Sequence, residues 1–231
     1  MTHVERVPLD YERAVAEHGQ YVDVLRELVE EVIELPAEEL YPDCVFVEDT
    51  AVVLDEIAII TRPGAESRRG EVDAVAEALA LWRPIGHIQA PGTLDGGDVL
   101  VLDREIFIGL TSRTNEAGIE QFRALAAGYQ VHAVPVHGAL HLKTAITRAT
   151  KDALLVNRQW IDVAPFGGWT LIDVDEAEPF GANVLLVGDV AIYPREYPKT
   201  AAKIPGQVRL VPAGELAKVE GGVTCSAILI R

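Results

Sequence analysis

The chain has 231 residues, 49% of them hydrophobic, with 36 acidic against 20 basic side chains and a formal charge of −16. That composition fills the core of a sizeable globular protein and argues against a nucleic-acid partner, because phosphate repels an acidic surface. No apolar run reaches the roughly 20 residues of a membrane span, the first residues lack the regions of a signal peptide, and two cysteines are too few for a disulfide framework, so a cytoplasmic protein is expected.

Taken in order, residues 9–32 carry apolar side chains at helical spacing (Val15, Tyr21, Val22, Val24, Leu25, Leu28, Val29) above an acidic face, and predict the longest helix. A strand is expected over Val29 to Leu35. After Pro36, Val45-Phe46-Val47 leads through Glu48-Asp49-Thr50 into a hairpin, Ala51–Leu54 and Ile57–Ile60, then a helix over about Gly70 to Trp82 and a strand Ile85–Ile88. The same order returns with strands Asp98–Leu102 and Ile106–Gly109, a helix over about Asn115 to Ala127, and a strand Val131–Val134. A third copy pairs Lys143–Ile146 with Ala153–Val156, followed by a short or irregular helix. A fourth runs through Asn183–Val187, Val190–Tyr193, a helix near Pro198 to Lys203 and Gln207–Leu210. The period of roughly 40 to 45 residues is a repeat signature, and units that cannot bury a sheet face alone suggest a radial arrangement in one domain spanning 1–231. Ser226–Ile230 would open a fifth unit, completed by the N-terminal helix and strand, with one strand of that unit unaccounted for.

The repeat carries a functional inference. Just ahead of the first strand of each unit stand Glu48-Asp49, Asp95-Gly96-Gly97-Asp98, His141, Gly181-Ala182-Asn183 and Cys225. If the copies are equivalent in space, a thiol, an imidazole and several carboxylates meet in one place. Cys225 with His141 and Asp95 has the composition of a nucleophile, a proton shuttle and an orienting carboxylate. Asp43, Glu48 and Asp49 are poor neighbours for a lone thiolate but suit a cationic substrate, whose guanidinium would favour the thiolate. Arg68 and Arg113, each in a loop ahead of a helix, suit a carboxylate at the other end, so an arginine-like amino acid is described. Plainer readings stand beside each: a buried small hydrophobe for Cys225, a satisfied core histidine for His141, a turn for Asp95 and Asp98, solvated helix starts for Arg68 and Arg113, and core for Cys44. The spacing offers no zinc motif, and neither metal nor cofactor is expected.

At these residues the sequence resembles the dimethylarginine dimethylaminohydrolases, of the guanidino-group-modifying (pentein) superfamily. The matching stretches are Leu-Pro-Ala (35–37), Pro-Asp-Cys-Val-Phe-Val-Glu-Asp (42–49), Ile-Thr-Arg-Pro-Gly-Ala-Glu-Ser-Arg-Arg (60–69), Leu-Asp-Gly-Gly-Asp-Val-Leu (94–100), Arg-Thr-Asn (113–115), Leu-His-Leu-Lys (140–143) and Gly-Gly-Val-Thr-Cys-Ser (221–226). The resemblance implies a five-fold pseudosymmetric α/β propeller of β-β-α-β units. It implies Cys225 as nucleophile, His141 as general acid and base, and Asp95 as its orienting carboxylate. Glu48 and Asp49 would hold the guanidinium region, Asp43 the amino-acid end, Arg68 and Arg113 the α-carboxylate, and the Val219 backbone the α-amino group. Hydrolysis of methylated arginine to citrulline and an amine follows, with a small-molecule substrate, no nucleic-acid or membrane partner, and a homodimer left open. Arginine deiminase or another guanidino hydrolase, and a non-catalytic ligand-binding or ribosome-associated protein of the same fold, are the alternatives. The resemblance also implies an N-terminal strand and flap that the sequence does not carry ahead of its long helix.

Overall fold

The structure is a computed structural model and describes residues 7–230. Met1–Arg6, by which the expected flap would already have ended, lie outside the described residues. The chain forms two compact units, and neither is a continuous stretch.

The first unit is built from Met1–Glu34 (described from Val7), Gly138–Leu140 and Thr144–Thr224. Helix α1 (Tyr11–Leu28) starts where the Asp10 carboxylate accepts from the Arg13 amide at 3.1 Å, and it buries Ala14, Tyr21, Val22 and Leu25 at helical spacing. The Tyr21 hydroxyl donates to the Val223 carbonyl at 2.8 Å, which ties the helix to the chain just ahead of Cys225.

The second unit holds Leu35–His137, His141–Lys143 and Cys225–Arg231 (described to Ile230). Strands β1 (Ala51–Val53) and β2 (Ala58–Ile60) pair antiparallel, helix α2 (Val72–Leu79) crosses over, and β3 (Ile85–His87) returns parallel to β2. The next copy has the same form: β4 (Val99–Leu102) antiparallel to β5 (Glu105–Leu110), then α3 (Glu116–Leu125), then β6 (Gln130–Pro135) parallel to β5. Asp103 takes the left-handed φ of 57° that the tight turn between β4 and β5 needs. Helix α3 is capped by Asn115, whose side chain accepts from the Gly118 amide. One cluster of Ile59, Leu94, Ile106, Ile108, Ile119 and Phe122 forms the core between these elements.

A single helical turn, α4 (Leu142–Ala145), precedes β7 (Ile146–Arg148). Strands β7 and β8 (Ala153–Val156) pair antiparallel and β9 (Thr170–Asp173) runs parallel to β8. In the last copy β10 (Leu185–Val187) and β11 (Val190–Pro194) form a hairpin, α5 (Pro198–Ala201) crosses over, and β12 (Gln207–Val211) lies parallel to β11. Helix α6 (Gly214–Ala217) follows.

Several expectations are corrected. Residues 29–35 form no strand, and neither does the segment after Cys225: among the described residues nothing completes a ladder with them, and an unpaired extended segment is not a strand. The tail still buries apolar surface, with Ile228 and Ile230 packed against Ala58, Ile60, Val75 and Leu79. Of the strand expected over Lys143–Ile146, Lys143–Ala145 lies in the helical turn α4 instead, because the amide of Leu142 at its start donates to the Asp98 carboxylate at 2.9 Å. The third sheet also gains β9, which the sequence does not predict; its Thr-Leu-Ile-Asp run supplies alternation too short to detect. Cys44 sits half-buried in a turn, its thiol on the Glu38 carbonyl at 3.9 Å, and not in an apolar strand.

Candidate active site

Two short 3-10 turns, each placed just before the first strand of a copy, deliver the acids. Val47–Thr50 presents Glu48 and Asp49, and Gly96–Asp98 presents Asp98, with Asp95 at its start. The turns are packed backbone to backbone. A Cβ on Gly96 would lie 1.9 Å from the Glu48 carbonyl oxygen, and one on Gly97 would lie 2.7 Å from both Asp49 Oδ1 and His141 Nδ1. No side chain fits at either position, which gives the Gly-Gly pair a packing reason beyond turn formation.

His141 joins these turns from the residue before α4. Its Nε2 is 3.0 Å from Asp95 Oδ2 and 3.8 Å from Asp49 Oδ1. Asp95 is fully buried, and its other oxygen accepts from the Gly64 amide at 2.8 Å. Asp49 Oδ1 accepts from the Gly97 amide at 2.9 Å, and its Oδ2 takes the Arg68 guanidinium at 2.5 Å. Burial works to lower the His141 pKa, but the charge of Asp49, the hydrogen bond His141 donates to Asp95 and the charges of Asp98 and Asp95 outweigh it and push it up to about 10. The imidazole is therefore a proton-bearing cation at neutral pH. Burial works to raise Asp49, and the charges of His141 and Arg68 hold its carboxyl below the ordinary value instead.

Cys225 reaches the same unit through its main chain. The Cys225 carbonyl accepts from the Glu48 amide at 3.0 Å, one residue from Asp49. In the first unit, Thr224 is pinned by a reciprocal pair with Asn183: the Thr224 amide donates to Asn183 Oδ1 and Asn183 Nδ2 donates to Thr224 Oγ1, both at 3.0 Å. The backbone entering the cysteine is thus fixed on the side of Thr224 and on its own carbonyl.

The remaining expected residues fall into distinct surroundings. Asp43 is exposed, with its carbonyl accepting from Arg68 at 3.3 Å. Glu48 is buried and receives Lys143 Nζ at 2.5 Å. Arg113 is partly open, with Nη1 3.6 Å from Asp95 Oδ2. Arg68 is buried and engaged on the carboxylates of Asp49 and Glu71 and the carbonyls of Asp43 and Phe46. In this geometry it braces Asp49, and an incoming carboxylate would have to compete for it. Val219 is exposed and belongs to the first unit. Asn183, expected in the same ring, lies in that unit as well, on Thr224. Sequence reasoning assigned no role to Lys143 or Glu71; the Leu-His-Leu-Lys run and the three-residue spacing of Arg68 and Glu71 were the available signals.

Chemically, Asp49, Asp95 and His141 offer ligand atoms within 4.8 Å of one another. Each is already engaged, Asp49 with Arg68 and Asp95 with His141, so the free directions suit a flat cation that donates hydrogen bonds to several sides better than a compact ion. A thiol, a protonated imidazole and paired carboxylates in a water-poor setting are equipped for attack on a guanidinium carbon and for protonation of a departing nitrogen.

The chain is similar to known proteins. A family profile described as "N,N dimethylarginine dimethylhydrolase, eukaryotic" matches residues 6–163. The N(G),N(G)-dimethylarginine dimethylaminohydrolase of Streptomyces coelicolor is 40% identical over 238 residues, covering 100% of this chain and 91% of that protein. Its namesake in Pseudomonas aeruginosa is 34% identical over 226 residues, covering 95% of this chain and 89% of that protein. The solved structure of the Pseudomonas protein, a cysteine-to-serine mutant complexed with citrulline, aligns with a TM-score of 0.91 at 34% identity over 95% of this chain and 89% of that one. The N-terminal domain of a cyanobacterial arginine dihydrolase shares the fold at a TM-score of 0.82 and 21% identity, over 94% of this chain and 86% of that one. The α/β fold of repeated β-β-α-β units expected from the sequence is the fold of this chain.

Proposed function

The chain belongs to the dimethylarginine dimethylaminohydrolase family, and on that premise we propose that it hydrolyses Nω-methylated arginines to citrulline and dimethylamine or methylamine. The observation that supports this most is the close grouping of Asp49, Asp95 and His141 beside the turn that binds the Cys225 main chain. A guanidinium between the two aspartates neutralises them and lowers the cost of a thiolate at Cys225.

The Cys225 sulfur attacks the guanidinium carbon, forming the C–S bond. His141, already protonated, gives its proton to the substituted nitrogen, and the C–N bond breaks to release the amine. The positive charge that remains on the covalent thiouronium is held by Asp49 and Asp95. His141, now neutral, takes a proton from water as the water adds to the same carbon; the C–S bond then breaks, returning the thiolate, and the hydroxyl proton passes to solvent as neutral citrulline is released. Asp95 keeps the imidazole oriented throughout through Nε2. Arg113, the more open arginine, takes the α-carboxylate, and Arg68 acts on the substrate through Asp49. Asp43 and the Val219 backbone serve the amino-acid end, as the family resemblance implies.

The test is citrulline formation from asymmetric dimethylarginine and from arginine, by this chain and by Cys225→Ser. Turnover of the methylated substrate that falls at least ~10³-fold in the variant is expected. Equal turnover by the variant would remove Cys225 from the chemistry, and a preference for unmethylated arginine would move the chain to deiminase activity.

A further inference from the structure

Asp98 is fully buried and has no place in the proposed reaction. Its partners are neutral. Oδ2 accepts from the hydroxyls of Thr111 at 2.8 Å and Thr114 at 2.6 Å, and Oδ1 accepts from the Leu142 amide at 2.9 Å. Both links lead to the His141–Asp95 pair. Leu142 directly follows His141 and opens α4, so its amide bond fixes the backbone that carries the imidazole. Thr114 Oγ1 also accepts from the Asp95 amide at 3.1 Å, so the same carboxylate fixes the backbone that carries the imidazole's partner.

The surroundings are cleared for this carboxylate. A Cβ at Gly109, on β5, would lie 2.5 Å from Asp98 Oδ1 and 2.9 Å from Leu142 Cβ. A buried carboxylate held only by hydroxyls and one amide is costly. A turn needs no such charge, since asparagine would serve a turn equally well. That charge is tied to the main chain of the residue next to His141, through the Leu142 amide.

We propose that Asp98 is a positioning residue for the reaction: its buried carboxylate sets the register of His141 against Asp95 and supplies negative charge that helps His141 keep a transferable proton. The inference rests on the acid–base role given to His141 above. His141 is also faced by Asp49 and Asp95, with Arg68 on the first and Arg113 near the second, and the Glu48–Lys143 pair lies two residues on. The Asp98 contribution must therefore be read as a difference between variants.

Asp98→Asn keeps the size and an acceptor for Leu142 while removing the charge. Expected are a fall in kcat of about tenfold or more, a KM within about threefold of the parent, and a shift of the His141 titration, followed by imidazole NMR, of about one pH unit downward. A folded variant whose His141 titration stays in place overturns the proposal, whether or not kcat falls, because a merely structural aspartate would leave the imidazole's proton alone. A second measurement does not depend on the variant folding. In the parent protein the carboxyl of Asp98, which burial raises to about 6 against the opposing pull of His141, Thr114 and Thr111, should titrate with a matching inflection in the His141 resonances. Absence of that inflection also overturns it. Both titrations are made without substrate, so failure of the methylarginine assay would strike the proposed function and leave this result standing.

Discussion

The turns Val47–Thr50 and Gly96–Asp98 occupy the same place in successive copies, and each buries an aspartate beside one histidine, yet the two acids are handled in opposite ways. Asp49 meets a guanidinium. Asp98 meets two hydroxyls and an amide. Burial pushes both carboxyls upward; for Asp49 the charges of His141 and Arg68 reverse the effect, and for Asp98 the opposing partners are too weak to do so. Position in a repeat thus sets where an acid stands, while its charge state depends on what another part of the chain brings to it. Here the deciding group is Arg68, carried on a separate turn (Glu66–Arg68).

The comparison breaks most severely if that group is removed. Arg68→Met leaves Asp49 and Glu71 buried without their shared cation, and a loss of about 3–5 kcal/mol is expected in urea unfolding. A loss under about 1 kcal/mol would mean that Asp49 does not depend on Arg68.

The pH dependence of stability sharpens it. Asp98 is raised from 3.8 to about 6, so its contribution is complete below 3.8 and is lost as pH climbs through about 6. Asp49 is lowered, so its contribution is present above 3.8 and is lost as pH falls. Unfolding measured across this range should show the Asp98→Asn variant without the parent's decline, a difference on the order of 3 kcal/mol. Asp49→Asn should keep the decline. Parallel curves for the parent and Asp98→Asn would remove the contrast between the two acids. A gain in stability with a fall in turnover, the joint expectation for Asp98→Asn, is the pattern of a group kept for activity at a stability cost.

The smallest expected effect tests the space reserved for Asp98. Gly109→Ala places a Cβ 2.5 Å from its carboxylate, and destabilisation of about 1–3 kcal/mol should follow by thermal unfolding. An unchanged midpoint would show that the carboxylate can move aside.

Much of this was legible in the residues. Ala153–Val156 coincides with β8, the hairpins and crossover helices of the first, second and fourth copies fall where alternation and helical spacing put them, and Asp49, Asp95 and His141 meet ahead of the first strands of their copies. Pattern misled where pairing decides. Ser226–Ile230 is as apolar as any strand, but an apolar run needs a neighbour to form a ladder. Leu142–Ala145 is helical because a carboxylate distant in sequence accepts its first amide. Roles were hidden for the same reason: an aspartate after two glycines reads as a turn until its partners are seen. Charge partners come from tertiary contact, which spacing along the chain does not encode.

The main-chain bond between Glu48 and Cys225 has a bearing on how the protein is made. Synthesis is vectorial, and early segments can collapse before late ones leave the ribosome. The turns bearing Asp49 and Asp95 and the histidine that unites them are all translated well before Cys225. A nascent chain can therefore assemble an acidic cradle around His141 before Cys225 is added, and the bond from the Glu48 amide to the cysteine carbonyl forms only afterwards, as Ile228 and Ile230 dock.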